Sequence, residues 1–235
     1  MKKTNIVALI LARGGSKGIP KKNLIKFCGK PLLRWSIEQA LGAEHIKDVY
    51  VSSDSEEILN VSKTAKAKTI KRPKKLASDT STSEEALIHA VNCIKKEDSS
   101  MPGMIVYLQP TSPIRTSKDI DGAIEFFIDK KADSLFSGSI LDDFCAWGYH
   151  GKKLRSLTYD YKKRGRRQNR QPYYLENGSM YIFKPSTLRR YKNRLGGKIV
   201  FYTMPLWKSY EIDKVEDVEL CEYYMRNKIL GGHNV

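Results

Sequence analysis

Residues 5–24 read "NIVALILARGGSKGIPKKNL", an apolar run that passes directly into a loop of glycines and cations. A strand with no polar alternation is buried on both faces, as happens in a parallel sheet covered by helices. The loop behind it holds Gly14, Gly15 and Gly18 together with Arg13, Lys17 and Lys22. Glycines let backbone N–H groups approach a ligand and form an anion-binding concavity, while the side chains supply charge. The pattern is neither the Walker A sequence GxxxxGK[ST] nor the dinucleotide fingerprint GxGxxG. It suits a chain of phosphates, with a tight turn carrying exposed lysines as the plainer alternative.

Beyond the loop, strand-like runs alternate with amphipathic stretches along the chain. "PLLRWSIEQALGA" places Leu32, Leu33, Trp35 or Ser36, Ile37 and Ala40 near helical spacing behind a proline start. "KDVYVSS" predicts a strand, "SEEILNVSKTAKA" a helix capped by Ser55, and "KTIKR" a short strand. In "STSEEALIHAVNCIKKE", Ser81 or Thr82 with Glu84 or Glu85 gives a capping-box pattern. "GMIVYLQP" and "ADSLFSGS" predict strands on either side of the helix "SKDIDGAIEFFIDKK", and "SMYIFKP", "KIVFYTMP" and a closing helix "VEDVELCEYYMRNKIL" complete the chain. This alternation predicts an α/β fold with a mostly parallel sheet and helices on both faces. At 235 residues, one domain over 1–235 is expected. The rhythm breaks at about 141–177, an aromatic, basic stretch that reads as a long functional loop or an arm packing on another subunit.

Composition narrows the function classes. No apolar stretch approaches the ~20 residues of a membrane span, and the short N-terminal run lacks a small-residue cleavage site, so a cytoplasmic location is expected. Cys28, Cys93, Cys145 and Cys221 are widely spaced with no CxxC pair, which suggests neither a zinc site nor a disulfide framework. The 42 Lys and Arg against 26 Asp and Glu leave a net charge of +16 and raise the possibility of a nucleic-acid partner. Seven cations between Lys63 and Lys75 and six between Lys162 and Arg170 carry much of it. Such runs are usually solvated faces, and only "RQPYYLENGSMY" interleaves aromatics with cations, so nucleic acid is the weaker reading.

In an open parallel sheet, ligands bind beyond the carboxyl ends of the strands. Four polar segments fall there: 13–23, 52–54, 72–83 and 109–115. In "YEIDKVED", Glu211 and Asp213 are i and i+2, so both side chains leave one face of an extended segment, a geometry suited to a shared divalent ion. Charge at a helix N-terminus is the alternative for this pair. His89 lies on the apolar side of its helix and reads as a core histidine.

The blocks "LARGGSKGIPKKNL", "RPKKLASDTSTSEEAL", "LQPTSPIR", "RRQ", "ENGSMYIF" and "EIDKVEDVE" occur in an order and spacing that resemble the acylneuraminate cytidylyltransferases. The resemblance covers essentially the whole chain. It implies a Rossmann-like nucleotidyltransferase fold whose arm exchanges between the subunits of a homodimer. It also implies the joining of CTP to a nine-carbon 2-keto acid sugar with release of pyrophosphate. Displacement at the α-phosphate needs cations against the charge growing on the leaving group. Arg13 and Lys22 are the first choices, with Gly14, Gly15, Ser16 and Lys17 in the same cradle and Asn23 reaching toward the ribose.

Similar enzymes read the pyrimidine with the stretch matching Arg72 and Ser81 to Ser83; one more solvated cation is the alternative for Arg72. The sugar positions are Gln109, Arg167, Gln168 and Tyr181. Mg²⁺, with Mn²⁺ as substitute, would be held by Asp213 and Glu211, although the family usually has Asp at both positions. Leu175 stands where some bacterial relatives carry a further arginine ahead of the Asn-Gly pair, which leaves the sugar's identity open. The runner-up is a nucleotidyltransferase for another acidic sugar, such as an eight-carbon 2-keto acid, or for another nucleotide. The serine-lysine pattern of the first loop disfavours the eight-carbon option.

Overall fold

A computed structural model describes residues 5–16, 18–141, 144–166 and 172–231. In chain order its elements are β1 (Ile6–Leu11), β2 (Lys26–Phe27), β3 (Lys30–Pro31), α1 (Leu32–Leu41), β4 (Asp48–Ser53), α2 (Glu56–Thr64) and β5 (Lys68–Lys71). They continue with α3 (Ser83–Glu97), β6 (Met104–Leu108), α4 (Ser117–Asp129), β7 (Ser134–Leu141), β8 (Trp147–His150) and β9 (Lys153–Ser156). The last are β10 (Tyr173–Phe183), α5 (Pro185–Tyr191), β11 (Ile199–Thr203) and α6 (Val215–Tyr224).

β1 explains the three-layer arrangement. Ile6, Ala8 and Ile10 belong to one buried cluster with Leu33 and Ile37 of α1 and Ile124 and Phe127 of α4. Val7 and Leu9 belong to a second, with Leu87, Val91 and Ile94 of α3 and Leu188 of α5. Alternate residues thus feed opposite layers, which is why the run carries no polar position. Each fully buried aliphatic side chain here contributes about 1.5–3 kcal/mol, an upper figure because unfolded chains already bury some surface.

The seven-stranded sheet has the order β11-β7-β10-β6-β1-β4-β5. All its pairings are parallel except those of β10, which runs against both β6 and β7. The expected α/β class and mostly parallel sheet are therefore what the chain adopts. Helix starts fall where the caps predicted them. The Ser55 side chain accepts from the N–H of Ile58, and Thr82, not Ser81, forms the capping box with Glu85.

Within the irregular stretch the chain makes a hairpin, β8 with β9, and β10 starts at Tyr173, earlier than the "SMYIFKP" run predicts. A register shift between Glu176 and Tyr181 interrupts β10. Gly178 sits there at φ +62°, a left-handed conformation open to glycine. The hairpin exposes Trp147, Tyr149 and Leu154, and the segment after it exposes Leu157 and Tyr161.

A third apolar cluster joins Ile19, Phe27, Leu32, Trp35 and Ile114 to Ile212, Cys221 and Met225. It pins the segment before α6 against the loop behind β1, bringing together residues about 190 positions apart.

Candidate active site

The loop after β1 is held by its own polar groups. Asn23 Nδ2 donates to the Arg13 carbonyl at 3.0 Å, and the Gly14 N–H donates to Asp54 Oδ1 at 2.9 Å. A Cβ at Gly18 would lie 2.4 Å from the Asp213 carbonyl oxygen. Glycine is required there by the approach of two backbones. Gly15 faces open space.

Ile212 sets the acidic segment. Its side chain is buried in the third cluster and its N–H donates to the Thr111 carbonyl at 2.7 Å. Its neighbours Glu211 and Asp213 both line the adjoining cleft. Asp217 Oδ2 accepts from the N–H groups of Asp213 and Lys214 at 2.9 and 2.8 Å, and these bonds hold its carboxyl below the usual range. Asp217 thereby supplies the negative charge at the N-terminus of α6, leaving the Asp213 carboxylate for other contacts. Lys22 Nζ donates to Asp213 Oδ1 and to the Ile212 carbonyl, both at 2.8 Å.

Two clefts open beyond the carboxyl ends of β1, β5 and β6. The larger, about 450 Å³, takes in Ser16, Lys22, Asn23, Gln109, Glu211 and Asp213. The smaller, about 340 Å³, takes in Arg72, Ser78, Asp79, Ser81 and Ser83. Leu11, Arg13 and Tyr107 line both. Both volumes fall in the range of small-molecule sites.

Arg13 Nη1 bonds Asp79 Oδ1 at 2.8 Å at the junction. Arg72 is buried, with Nη2 donating to the Ser52 carbonyl at 3.3 Å and Nε without a partner in the structure. Its burial lowers its pKa, with the Asp54 charge acting the other way. It is therefore no solvated cation of a basic run. Ser81 Oγ donates to the Lys75 carbonyl at 2.6 Å, fixing the loop that borders the smaller cleft.

Although Glu211 reaches solvent, the cleft walls partly desolvate its carboxyl and raise its pKa. The negative charge of Asp213 adds to the shift, and Lys22 opposes it. The two carboxylates on this cleft offer the hard oxygen donors that a divalent cation takes. Among the described residues no group of three or more His, Cys, Asp or Glu could hold a metal by itself. A magnesium ion at this pair would take its remaining ligands from phosphate and water.

Other sequence-predicted residues fall elsewhere. Tyr181 is buried behind Tyr107, the rings stacked with centroids 5.8 Å apart, and its hydroxyl donates to Glu176; it lines neither cleft. Lys17, Arg167 and Gln168 lie outside the described residues. His89 sits beside Cys93, with its pKa lowered by burial and then by the Arg72 charge.

Sequence reasoning passed over Arg115, which is fully buried. Its Nη1 donates to the carbonyls of Gln109, Ser112 and Ser179 at 3.2, 2.7 and 3.0 Å, and its Nη2 reaches Ser36 Oγ. One guanidinium thus fastens the loop carrying Gln109 to the bulged β10 and to α1. The only signal was an arginine closing "LQPTSPIR" in an otherwise uncharged block. Arg115→Ala is expected to cost more than about 3 kcal/mol, since it opens a cavity and strands several buried acceptors. A urea midpoint shift checks it.

A glycine loop, converging cations and a carboxylate pair thus meet beyond the strand ends of a mostly parallel α/β sheet, where such folds bind their ligands. The chain belongs to the cytidylyltransferase family, whose profile matches residues 7–225. It is 33% identical over 224 residues to the N-acylneuraminate cytidylyltransferase of Oncorhynchus mykiss, covering 94% of this chain and 50% of that one. It is 31% identical over 230 residues to that of Escherichia coli O18:K1:H7, covering 93% and 52%. The chain thus spans about half the length of the curated relatives it matches. In fold it is similar to a CMP:2-keto-3-deoxy-manno-octonic acid synthetase solved with CTP, with a TM-score of 0.69 at 14% identity, covering 96% of this chain and all of that one. No helix among the described residues is long and apolar enough to cross a membrane.

Proposed function

We propose that the protein transfers CMP from CTP to a nine-carbon 2-keto acid sugar, N-acetylneuraminate or a legionaminate- or pseudaminate-like relative, releasing pyrophosphate. The observation that carries this reading is the pair of clefts meeting at Arg13 and Tyr107. One cleft takes the base and the other the sugar, so the α-phosphate lies between them. Relatives named N-acylneuraminate cytidylyltransferase support the same assignment.

In this reading Arg72, Ser81 and Ser83 contact the cytosine, rejecting bases that leave buried partners unpaired. Gly14, Gly15, Ser16, Lys17 and Asn23 cradle the phosphates and ribose. The sugar's 2-hydroxyl oxygen forms the new bond to the α-phosphorus, losing its proton to solvent, as the bond to pyrophosphate breaks. Arg13 and Lys22 counter the charge that develops on the leaving group. Bound at Asp213 and Glu211, Mg²⁺, or Mn²⁺ in its place, would neutralise phosphate charge. Gln109 faces the sugar, and Arg167, Gln168 and Tyr181 are assigned to it by resemblance. Tyr181 acts through Tyr107, on which it stacks.

The proposal includes a cytoplasmic homodimer in which the segment 141–177 covers the partner's sugar site. An isolated two-stranded hairpin is marginal in water, and β8–β9 exposes large apolar side chains that a second copy would bury. Sedimentation of the purified protein as a dimer is the expected result.

Pyrophosphate release from a panel of nine-carbon and eight-carbon 2-keto acids against four nucleoside triphosphates tests the function. Turnover is expected with CTP and a nine-carbon acid. Turnover confined to another nucleotide or to eight-carbon acids would overturn the assignment.

A further inference from the structure

The loop between α5 and β11 contributes nothing to the lining of either cleft, yet it carries Arg194 deep against the wall the clefts share. The Arg194 guanidinium lies over the Tyr181 ring at 4.4 Å and the Tyr107 ring at 5.8 Å. Its Nη1 bonds Glu84 Oε1 at 2.7 Å, with both side chains largely buried, at 20% and 22% exposure. Glu84 is in the first turn of α3, directly after Ser83. Ser83 and Tyr107 both line the smaller cleft.

One planar cation therefore ties together the ring bordering both clefts, the ring stacked behind it, and the helix turn bearing a base-cleft serine. An arginine suits this better than a lysine. Its flat, weakly hydrated guanidinium stacks on aromatic faces while its N–H groups bond a carboxylate in the same plane.

We propose that Arg194 is a positioning residue for the nucleotide: it holds Glu84, and through it Ser83, in register with Tyr107, so that the smaller cleft is pre-shaped before the base enters. This rests on the assignment of that cleft to the base. Without Arg194, the rings and the α3 turn lose their common partner, and binding has to order them first. Such an ordering cost falls on ground-state and transition-state binding alike, so it raises KM and leaves turnover little changed.

The test compares the wild-type protein with Arg194→Ala, Arg194→Lys and Glu84→Gln. It measures CTP affinity by calorimetry, steady-state constants, and amide hydrogen exchange of residues 83–87 without ligand. Arg194→Ala is expected to weaken CTP binding about tenfold and raise its KM by a similar factor, with kcat within about twofold. Exchange in the first turn of α3 should quicken. Arg194→Lys should recover part of the affinity by restoring the ion pair without the stack. Glu84→Gln combined with Arg194→Ala should cost no more than Arg194→Ala alone, as for two partners of one contact.

Unchanged CTP affinity and exchange in Arg194→Ala would overturn the proposal. So would a fall in kcat and thermal stability with KM unmoved, which would make Arg194 a structural residue only. A wild-type protein that binds no CTP would reject the proposed function instead, and the exchange measurement would still decide the link between Arg194 and α3.

Discussion

Lys22→Ala is expected to lower kcat by about 10²–10³-fold, the usual effect of removing one preorganised donor from a developing anion, with the KM for CTP changing by less than about threefold. The geometry explains the split. Without substrate the ammonium is already engaged by Asp213 Oδ1 and the Ile212 carbonyl, so its bond to ground-state phosphate replaces contacts of similar kind. Only as the α-phosphorus–oxygen bond breaks does the leaving group gain enough charge to draw more from Lys22 than Asp213 does. An interaction that strengthens only in the transition state appears in kcat. Steady-state kinetics on protein with an unchanged thermal midpoint checks this; a raised KM with intact kcat would reassign Lys22 to ground-state binding.

Asp213→Ala has the other large expected effect, a loss of at least about 10³-fold in kcat/KM, equivalent to the several kcal/mol a divalent ion supplies to a transferring phosphoryl group. The carboxylate also forms the ion pair with Lys22, so the alanine variant alone does not separate that contact from the proposed metal role. Asp213→Asn does, because its amide oxygen still accepts from Lys22 but carries no charge for a cation. If the metal role is the important one, Asn is as inactive as Ala, and excess chelator abolishes wild-type activity. Wild-type rates in excess chelator would remove the metal from the reaction. An Asn variant near wild-type activity would leave Asp213 as the positioner of Lys22. Stability should change little in either variant, since the Asp213 side chain is mostly exposed and the N-terminal charge of α6 resides on Asp217.

Much of the framework was legible one segment at a time. The apolar character of β1, the cap Ser55, the capping-box pattern ahead of α3 and the helical spacing of α1 each depend on contacts within a few residues. They survive in a sequence read without its partners. The first loop and the Glu211–Asp213 pair were legible for the same reason, as residue types at short spacing. The hairpin of β8 and β9 was not, because its alternation is weak and its apolar side chains remain exposed. β10 was read too short, because its first residues face solvent and a bulge at Gly178 breaks its period.

The order of strands and the placing of β10 against its neighbours needed pairings across the chain. The joining of Lys22 to Asp213 needed a cluster built from three distant segments. Resemblance set Arg72 apart, with one more solvated cation of a run of seven as the alternative, and only its burial against Ser52 removed that alternative. Arg115 and Arg194 carried no local pattern at all. Their roles come from the carbonyls, rings and carboxylate that surround them, and a buried guanidinium is tolerated only where such partners converge. Sequence by itself thus determined the layers, the caps and the types of residue at the strand ends. Tertiary structure alone decided which charges are paired, which are buried, and which wall both clefts share, because those follow from distances between segments that the chain order does not contain.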